Sequence, residues 1–197
     1  MSQSGHVVIY TDGAAKGNPG PAGWCWWQSE TSWGAGGFKV ATNNVAELSA
    51  VEQALLAVSH RHDLDLLLVT DSTYVMKSLT EYIHNWKRNG WMTSAKKPVS
   101  NRDLIRRIDA LITDRGGVRW QWQRGHIGAH GNTQADAGAS AAAIAFQQGS
   151  RCPTGPGWVD FGSGSTATER QATERQTTER QTTAARADDY PEHDTLF

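Results

Sequence analysis

Four carboxylates stand where segments of regular structure are expected to begin or end. Asp12 closes a first strand, Glu47 opens a helix, Asp71 closes a later strand and Asp136 opens the last helix. Their local phrases are, respectively, YTDGAAKGNPGPAGW, TNNVAEL, VTDSTYV and RGHIGAHGNTQADAGA. Acids gathered from element ends are how a site for hard divalent cations is usually assembled, because Mg²⁺ takes oxygen ligands and keeps open positions for water and substrate phosphate.

Each acid also has an ordinary reading. Asp12-Gly13 suits a turn, Asp71-Ser72 a helix cap, Glu47 a solvated helix face and Asp136 the positive end of a helix dipole. Taken singly, none excludes its ordinary role. Taken in this order and spacing, all four ordinary roles would have to hold at once.

The elements that must position these acids follow from hydrophobic periodicity. Val7 to Thr11 is a β-branched run of the doubly buried type, ending at Asp12 and a turn rich in Gly, Asn and Pro. Gly23 to Gln28 and Ser32 to Val40 read as two more strands, antiparallel neighbours of the first. Thr42, Asn43 and Asn44 offer capping side chains, after which Ala46, Leu48, Val51, Leu55, Leu56 and Val58 form an apolar stripe at helical spacing. Asp65 to Asp71 is a further buried strand, reached by a crossover long enough for parallel pairing. Ser72 to Leu79, Glu81 to Arg88 and Asn101 to Ile112 read as helices, Val118 to Arg124 as a strand, and Thr133 to Gln147 as an alanine-rich last helix. The order predicts a mixed α/β sheet with helices on its faces, and puts Asp12 and Asp71 at the carboxyl ends of adjacent parallel strands, where open sheets bind their ligands.

Composition divides the chain. Residues 1–149 alternate periodic apolar segments with turns, whereas 150–197 are dominated by Thr, Glu, Arg, Gln and Ala, with an AlaThrGluArgGln repeat of period five from Ala167. That period matches neither a helix face nor a strand, so the tail reads as a flexible tether. The net charge of −1 hides an asymmetry: residues 1–149 hold fourteen Lys and Arg against twelve Asp and Glu, the tail five against eight. The stretch from His84 to Arg107 is strongly basic, which points to a polyanionic partner. Cys25 and Cys152 belong to no metal-ligand spacing, no secretory signal or membrane-length apolar run is present, and nothing points to a dimer. A cytoplasmic monomer is therefore expected.

These phrases, together with IHNWKRNGW followed by KKPV, closely resemble the type 1 ribonuclease H family over roughly the first 148 residues. The resemblance implies the ribonuclease H-like fold, a five-stranded mixed sheet with three antiparallel strands and then parallel ones, flanked by helices. It implies a Mg²⁺-dependent endoribonuclease that cuts the RNA strand of an RNA/DNA hybrid. Two ions, for which Mn²⁺ could substitute, would be held by Asp12, Glu47, Asp71 and Asp136, leaving 3′-hydroxyl and 5′-phosphate ends. His126, in a Gly-rich loop, matches a family histidine that assists proton transfer or product departure, work suited to a side chain titrating near neutrality. His130 is in a neighbourhood that departs from the common pattern.

Substrate contacts carry over residue by residue. Asn18, Asn43 and Asn44 match positions that hydrogen-bond the strands near the cut, where an amide can both donate to and accept from a ribose hydroxyl. Thr42 matches a position that grips a DNA phosphate. His84 to Val99 resembles the family's basic protrusion, with Trp86, Lys87, Arg88, Trp91, Lys96 and Lys97 as its aromatic and cationic contacts, though the ordinary reading of the tryptophans is the packing of a helix hairpin, which suits Trp86 at least as well. Trp24, Trp26, Trp27, Trp120 and Trp122 fall in strands, where packing is the default. Val45 and Thr73 depart from residues that some relatives carry.

Two other classes compete with this enzyme. A noncatalytic hybrid-binding module would be expected to lack an acid, and all four are present. A DNA-strand transferase of the same superfamily fits poorly with the basic protrusion and the Asn-rich contacts. The final HisAspThrLeuPhe weakly resembles the peptides by which bacterial replication proteins bind the sliding clamp.

Overall fold

Val7, Ile9 and Thr11 are buried and alternate with half-buried Val8 and Tyr10, the two-residue period of a strand covered on both faces. In the computed structural model, which describes residues 6–124 and 130–160, this strand is β1 (His6–Ala15). There follow β2 (Gly20–Ser29), β3 (Ser32–Ala41), α1 (Asn43–Ala57), β4 (Asp65–Thr70), α2 (Thr73–Lys77), α3 (Ile83–Arg88), α4 (Arg102–Asp114), β5 (Arg119–Trp122) and α5 (His130–Gln148). The sheet order is β3-β2-β1-β4-β5. It is antiparallel across β3, β2 and β1, then parallel from β1 to β4 and from β4 to β5. This is the five-stranded mixed sheet expected from the sequence.

Two cores lie on opposite faces of that sheet, as neighbouring residues of β2 show: Trp26 belongs to one and Cys25 to the other. The larger joins Ile9, Leu68, the α1 residues Leu48, Val51 and Leu55, and Ile105 and Ile108 of α4. Complete burial of one such side chain stabilises by about 1.5–3 kcal/mol. The smaller core lies under α5 and is built from Cys25, Ala35, Ala139 and Ala142. Its small side chains let helix and strand backbones approach closely: a Cβ at Gly23 would stand 2.3 Å from the Ala139 carbonyl oxygen.

Apart from the β1–β2 hairpin, in which β1 runs on past Asp12 to Ala15 and β2 starts at Gly20, so that Asp12 lies within β1 rather than closing it, three boundaries differ markedly from the sequence expectation. The segment read as two helices meeting near Thr80 is continuous, with a π turn at Ser78–Tyr82 joining α2 to α3 and the Thr80 hydroxyl donating to the Met76 carbonyl at 2.7 Å. No Gly or Pro interrupts residues 73–88, and the wider turn absorbs the change of phase. α5 begins at His130 rather than Thr133, so Asp136 sits in its second turn and not at its start.

The third concerns residues 150–159, which composition assigned to the tail. They lie against the edge strand β3. The Ala35 N–H donates to Thr154 O at 3.2 Å, Gly157 N–H to Trp33 O at 3.0 Å, and Val159 N–H to Ser32 Oγ at 3.2 Å. Trp158 packs on the larger core and Cys152 on the smaller. An edge strand carries unpaired backbone groups that a passing segment can satisfy, a need invisible to composition averaged over the tail. The compact unit ends at Val159. The repeat and the terminal HisAspThrLeuPhe lie outside the described residues. Among the described residues, no helix is long and apolar enough to cross a membrane.

Candidate active site

The parallel ladder between β1 and β4 ends with Thr11 opposite Thr70. Asp12 and Asp71 are the next residues on two strands that lie roughly 4.8 Å apart, so they follow the last paired position side by side, Asp71 leaving the sheet and Asp12 remaining in it. Beyond Thr11, β1 continues only against β2, which puts Asp12 opposite Cys25 and leaves its β4 side open. The Gly13 N–H donates to Asp12 Oδ1 at 2.7 Å. On the other side of the pair, the Trp122 indole N–H donates to the Asp71 carbonyl at 2.9 Å.

Glu47 arrives from α1, whose first turn is capped by the Thr42 hydroxyl accepting the Val45 N–H at 3.3 Å. The helix comes down on β1 at Gly13. A Cβ there would lie 2.3 Å from the Glu47 backbone nitrogen, so only glycine permits this approach. Both carboxylate oxygens of Glu47 are held, Oε1 by Asn43 Nδ2 at 2.7 Å and Oε2 by the Ser72 hydroxyl. The Asn43 backbone N–H in turn donates to Asn18 Oδ1 at 3.1 Å, tying the β1–β2 turn to the start of α1.

The fourth acid, Asp136, comes from α5. Its charge is felt at Asp12, whose carboxyl is pushed up to about 8 by burial first, then by Asp71, Asp136 and Glu47, against the opposing Gly13 N–H bond. Glu47 is also raised, by burial and by Asp71, while the Ser72 and Asn43 hydrogen bonds work to keep it ionised. All four acids thus share one electrostatic neighbourhood. Among the described residues, no three His, Cys, Asp or Glu side chains are already drawn into a metal-ligand group. Oxygen donors that repel one another, Asp12 buried and the other three half-buried, are the donor set that suits hard divalent cations. The facing Cys25 thiol, pushed up to about 12 by burial and Asp12, stays neutral and offers neither a thiolate ligand nor a nucleophile.

His126 lies outside the described residues. His130 turns elsewhere: its Nε2 is 3.2 Å from Glu30 Oε1, and its ring stands edge-on to Trp27 at 5.3 Å. Asn44 is exposed beside the half-buried Asn43. Trp86 and Trp91 both pack on the larger core, with the Arg106 guanidinium 5.8 Å from the Trp91 ring centre. The loop between α3 and α4 folds back on itself, with Trp91 N–H donating to Trp86 O at 2.7 Å and Val99 N–H to Trp91 O at 3.1 Å. Of its cations, Lys87 is paired with Asp109 at 2.6 Å and Arg88 donates to Asn85, while Lys96 and Lys97 are exposed.

Two participants escaped the sequence reading. Ser72 was legible only as a cap, which it is, accepting the Val75 N–H at 3.2 Å; its second partner across the site has no sequence signal. Trp122 departs from the packing expected of a strand tryptophan. It is 47% exposed beside Asp71, because β5 is an edge strand.

The chain matches the RNase H family model over residues 4–144. It is 41% identical over 154 residues to the ribonuclease H of Tropheryma whipplei strain Twist, covering 78% of this chain and 94% of that protein. It is 50% identical over 143 residues to the ribonuclease H of Polaromonas naphthalenivorans strain CJ2, covering 70% and 86%. Among solved structures it is similar to LC9-RNase H1, described as a type 1 RNase H with the type 2 active-site motif. That likeness has a TM-score of 0.63 at 25% identity and covers 82% of this chain and 80% of the other.

Proposed function

The chain belongs to the ribonuclease H family, and on that premise we propose that it hydrolyses the RNA strand of RNA/DNA hybrids endonucleolytically, leaving 3′-hydroxyl and 5′-phosphate ends. The observation that supports this reading is the placement of Asp12 and Asp71 side by side past the end of the β1–β4 ladder, with Glu47 tied to Ser72 next to Asp71 and Asp136 near enough to raise Asp12. These four would hold two Mg²⁺ ions, with Mn²⁺ as a substitute. Bound there, the ions supply Lewis acidity and neutralise charge at the scissile phosphodiester.

The chain's own residues do the rest. Glu47, fixed at both oxygens, presents a carboxylate of set orientation, and Asn43 and Asn18 bring amides to the same edge of the site. Those amides and Asn44 would contact the strands near the cut, with ribose hydroxyls distinguishing RNA from DNA. The Thr42 hydroxyl, although engaged as a cap, keeps its proton to donate to a phosphate. His126 is the candidate for moving a proton at the leaving group or releasing product. Lys96, Lys97 and Arg88 would meet backbone phosphates without reading sequence, and Trp86 and Trp91 would brace that surface from beneath.

The direct test offers end-labelled RNA/DNA hybrid, duplex RNA, duplex DNA and single strands, each with and without Mg²⁺. Cleavage confined to the RNA of the hybrid and dependent on the cation is the expected result. Cation-independent cleavage, or equal cleavage of duplex DNA, overturns the assignment.

A further inference from the structure

We propose that the Ser72 hydroxyl is a positioning group that sets Glu47 for its divalent cation, so that the Asp71-Ser72 dipeptide places two of the four acids at once. The proposal rests on the metal-site reading above. Among the described residues Glu47 has two hydrogen-bond donors, and they are not equivalent. Asn43 lies four residues earlier on the same helix, so its bond to Oε1 orients the carboxylate relative to α1 alone. Ser72 reaches Oε2 from the junction of β4 and α2, and is the donor that ties α1 across the site to the strand end carrying Asp71.

The direction of that hydroxyl is fixed by its surroundings. Ser72 is buried, its backbone N–H donates to Thr70 Oγ1 at 3.1 Å, and its Oγ accepts the Val75 N–H at 3.2 Å. A serine hydroxyl has one proton, and with a lone pair committed to Val75 that proton goes to Glu47. Without it, a carboxylate repelled by Asp71 keeps, among the described residues, its Asn43 bond and swings toward Asn43 and solvent. Groups that orient a ligand in this way typically change metal affinity by about 10–100-fold when removed.

A cap-only role predicts something different, and three variants of the full-length chain separate the two. Ser72→Ala removes hydroxyl and cap, Ser72→Gly removes the hydroxyl but leaves a residue that still caps helices well, and Ser72→Thr keeps both. Mn²⁺ binding to each metal-free protein is measured by calorimetry, thermal midpoints are recorded in EDTA, and kcat and KM are taken on a labelled hybrid across a Mn²⁺ titration. Ala and Gly are expected to weaken Mn²⁺ by roughly tenfold, leave KM for the hybrid unchanged and lose rate that returns as Mn²⁺ is raised, with Thr restoring parental affinity. Parental affinity in folded Gly or Ala variants, or affinity in the Thr variant as low as in the Ala variant, overturns the proposal. Should Ala fail to fold, Gly against Thr decides. Ser72-dependent Mn²⁺ binding without hybrid cleavage would sink the functional reading while sparing this one. Cleavage with Ser72-independent binding would do the reverse.

Discussion

Asp12 concentrates the site's electrostatics in one side chain. Its carboxyl titrates near 3.8 in an unfolded chain and at about 8 in the folded, metal-free protein, raised by burial and by Asp71, Asp136 and Glu47. The folded state therefore holds a proton that the unfolded chain releases, so this contribution to stability is complete below about pH 4 and is lost as pH climbs through about 8. In EDTA the thermal midpoint is expected to fall across that window, and Mg²⁺ should flatten the fall at its upper end by replacing the proton. Asp12→Asn should remove most of the dependence, stabilise the metal-free protein at alkaline pH, and reduce hybrid cleavage to the level seen without cation. A variant that still turns over normally, or whose midpoint follows pH as the parent's does, contradicts the argument. Asp71 was legible because it ends a buried apolar run, where a charged residue marks the exit from the sheet, whereas Asp12 lies within β1, which runs on to Ala15 against β2. Ser72 was legible only by half, since the cap is local while its bond to Glu47 spans 25 residues of sequence.

At the scale of elements, the site depends on how closely α1 lies on β1. Gly13→Ala would place a methyl 2.3 Å from the Glu47 nitrogen and 2.6 Å from the Ala46 carbonyl carbon, backbone atoms that move only with the whole helix. The expected cost is about 3 kcal/mol of stability, with weakened Mn²⁺ binding because Glu47 withdraws from Asp12; denaturant titration and calorimetry measure the two. Unchanged metal affinity would show that the helix approach does not set the site. The basic loop between α3 and α4 makes a separate prediction. If Lys96 and Lys97 each neutralise a phosphate, replacing both by Ala should reduce the slope of log binding constant against log salt by roughly 0.7 to 0.9 per lysine. Lys87→Ala should change that slope less, because Asp109 already holds that ammonium. Equal effects would place Lys87 on the substrate after all. The helices and strands themselves were readable from their periods. The early start of α5 was not, because Gly131 and Asn132 are poor helix formers taken alone. Gly131 is needed where it stands, since a Cβ there would meet the Tyr10 ring at 2.2 Å.

At the scale of the molecule, the sheet carries Asp12 in β1, Asp71 just past β4 and one of its two edges at β3, and the ten residues after Gly149 are committed to that edge. Hydrophobic patterning located the two-faced sheet well, because a buried strand must be apolar on both sides. It placed the end of the packed chain too early. Residues 150–159 hold to β3 chiefly through backbone bonds, and a backbone bond leaves no trace in composition; Trp158 and Cys152, packed on the larger and smaller cores, were the apolar clues. Two truncations follow from this. A chain ending at Asp160 keeps the bonds from Ala35, Gly157 and Val159 and should match the full-length protein in denaturant midpoint and in cleavage of a short hybrid. A chain ending at Gly149 loses them and uncovers Trp33 and the β3 edge; at about 0.5–1.5 kcal/mol net for each hydrogen bond, a loss of a few kcal/mol is expected, together with a greater tendency to self-associate at the bared strand. None of the four acids lies on β3 or on the removed segment, so the shorter chain should still cleave at low temperature and fail first on heating. Indistinguishable stabilities for the two truncations would mean that the segment rests on the sheet without supporting it, and the boundary drawn from composition would then be the energetic one.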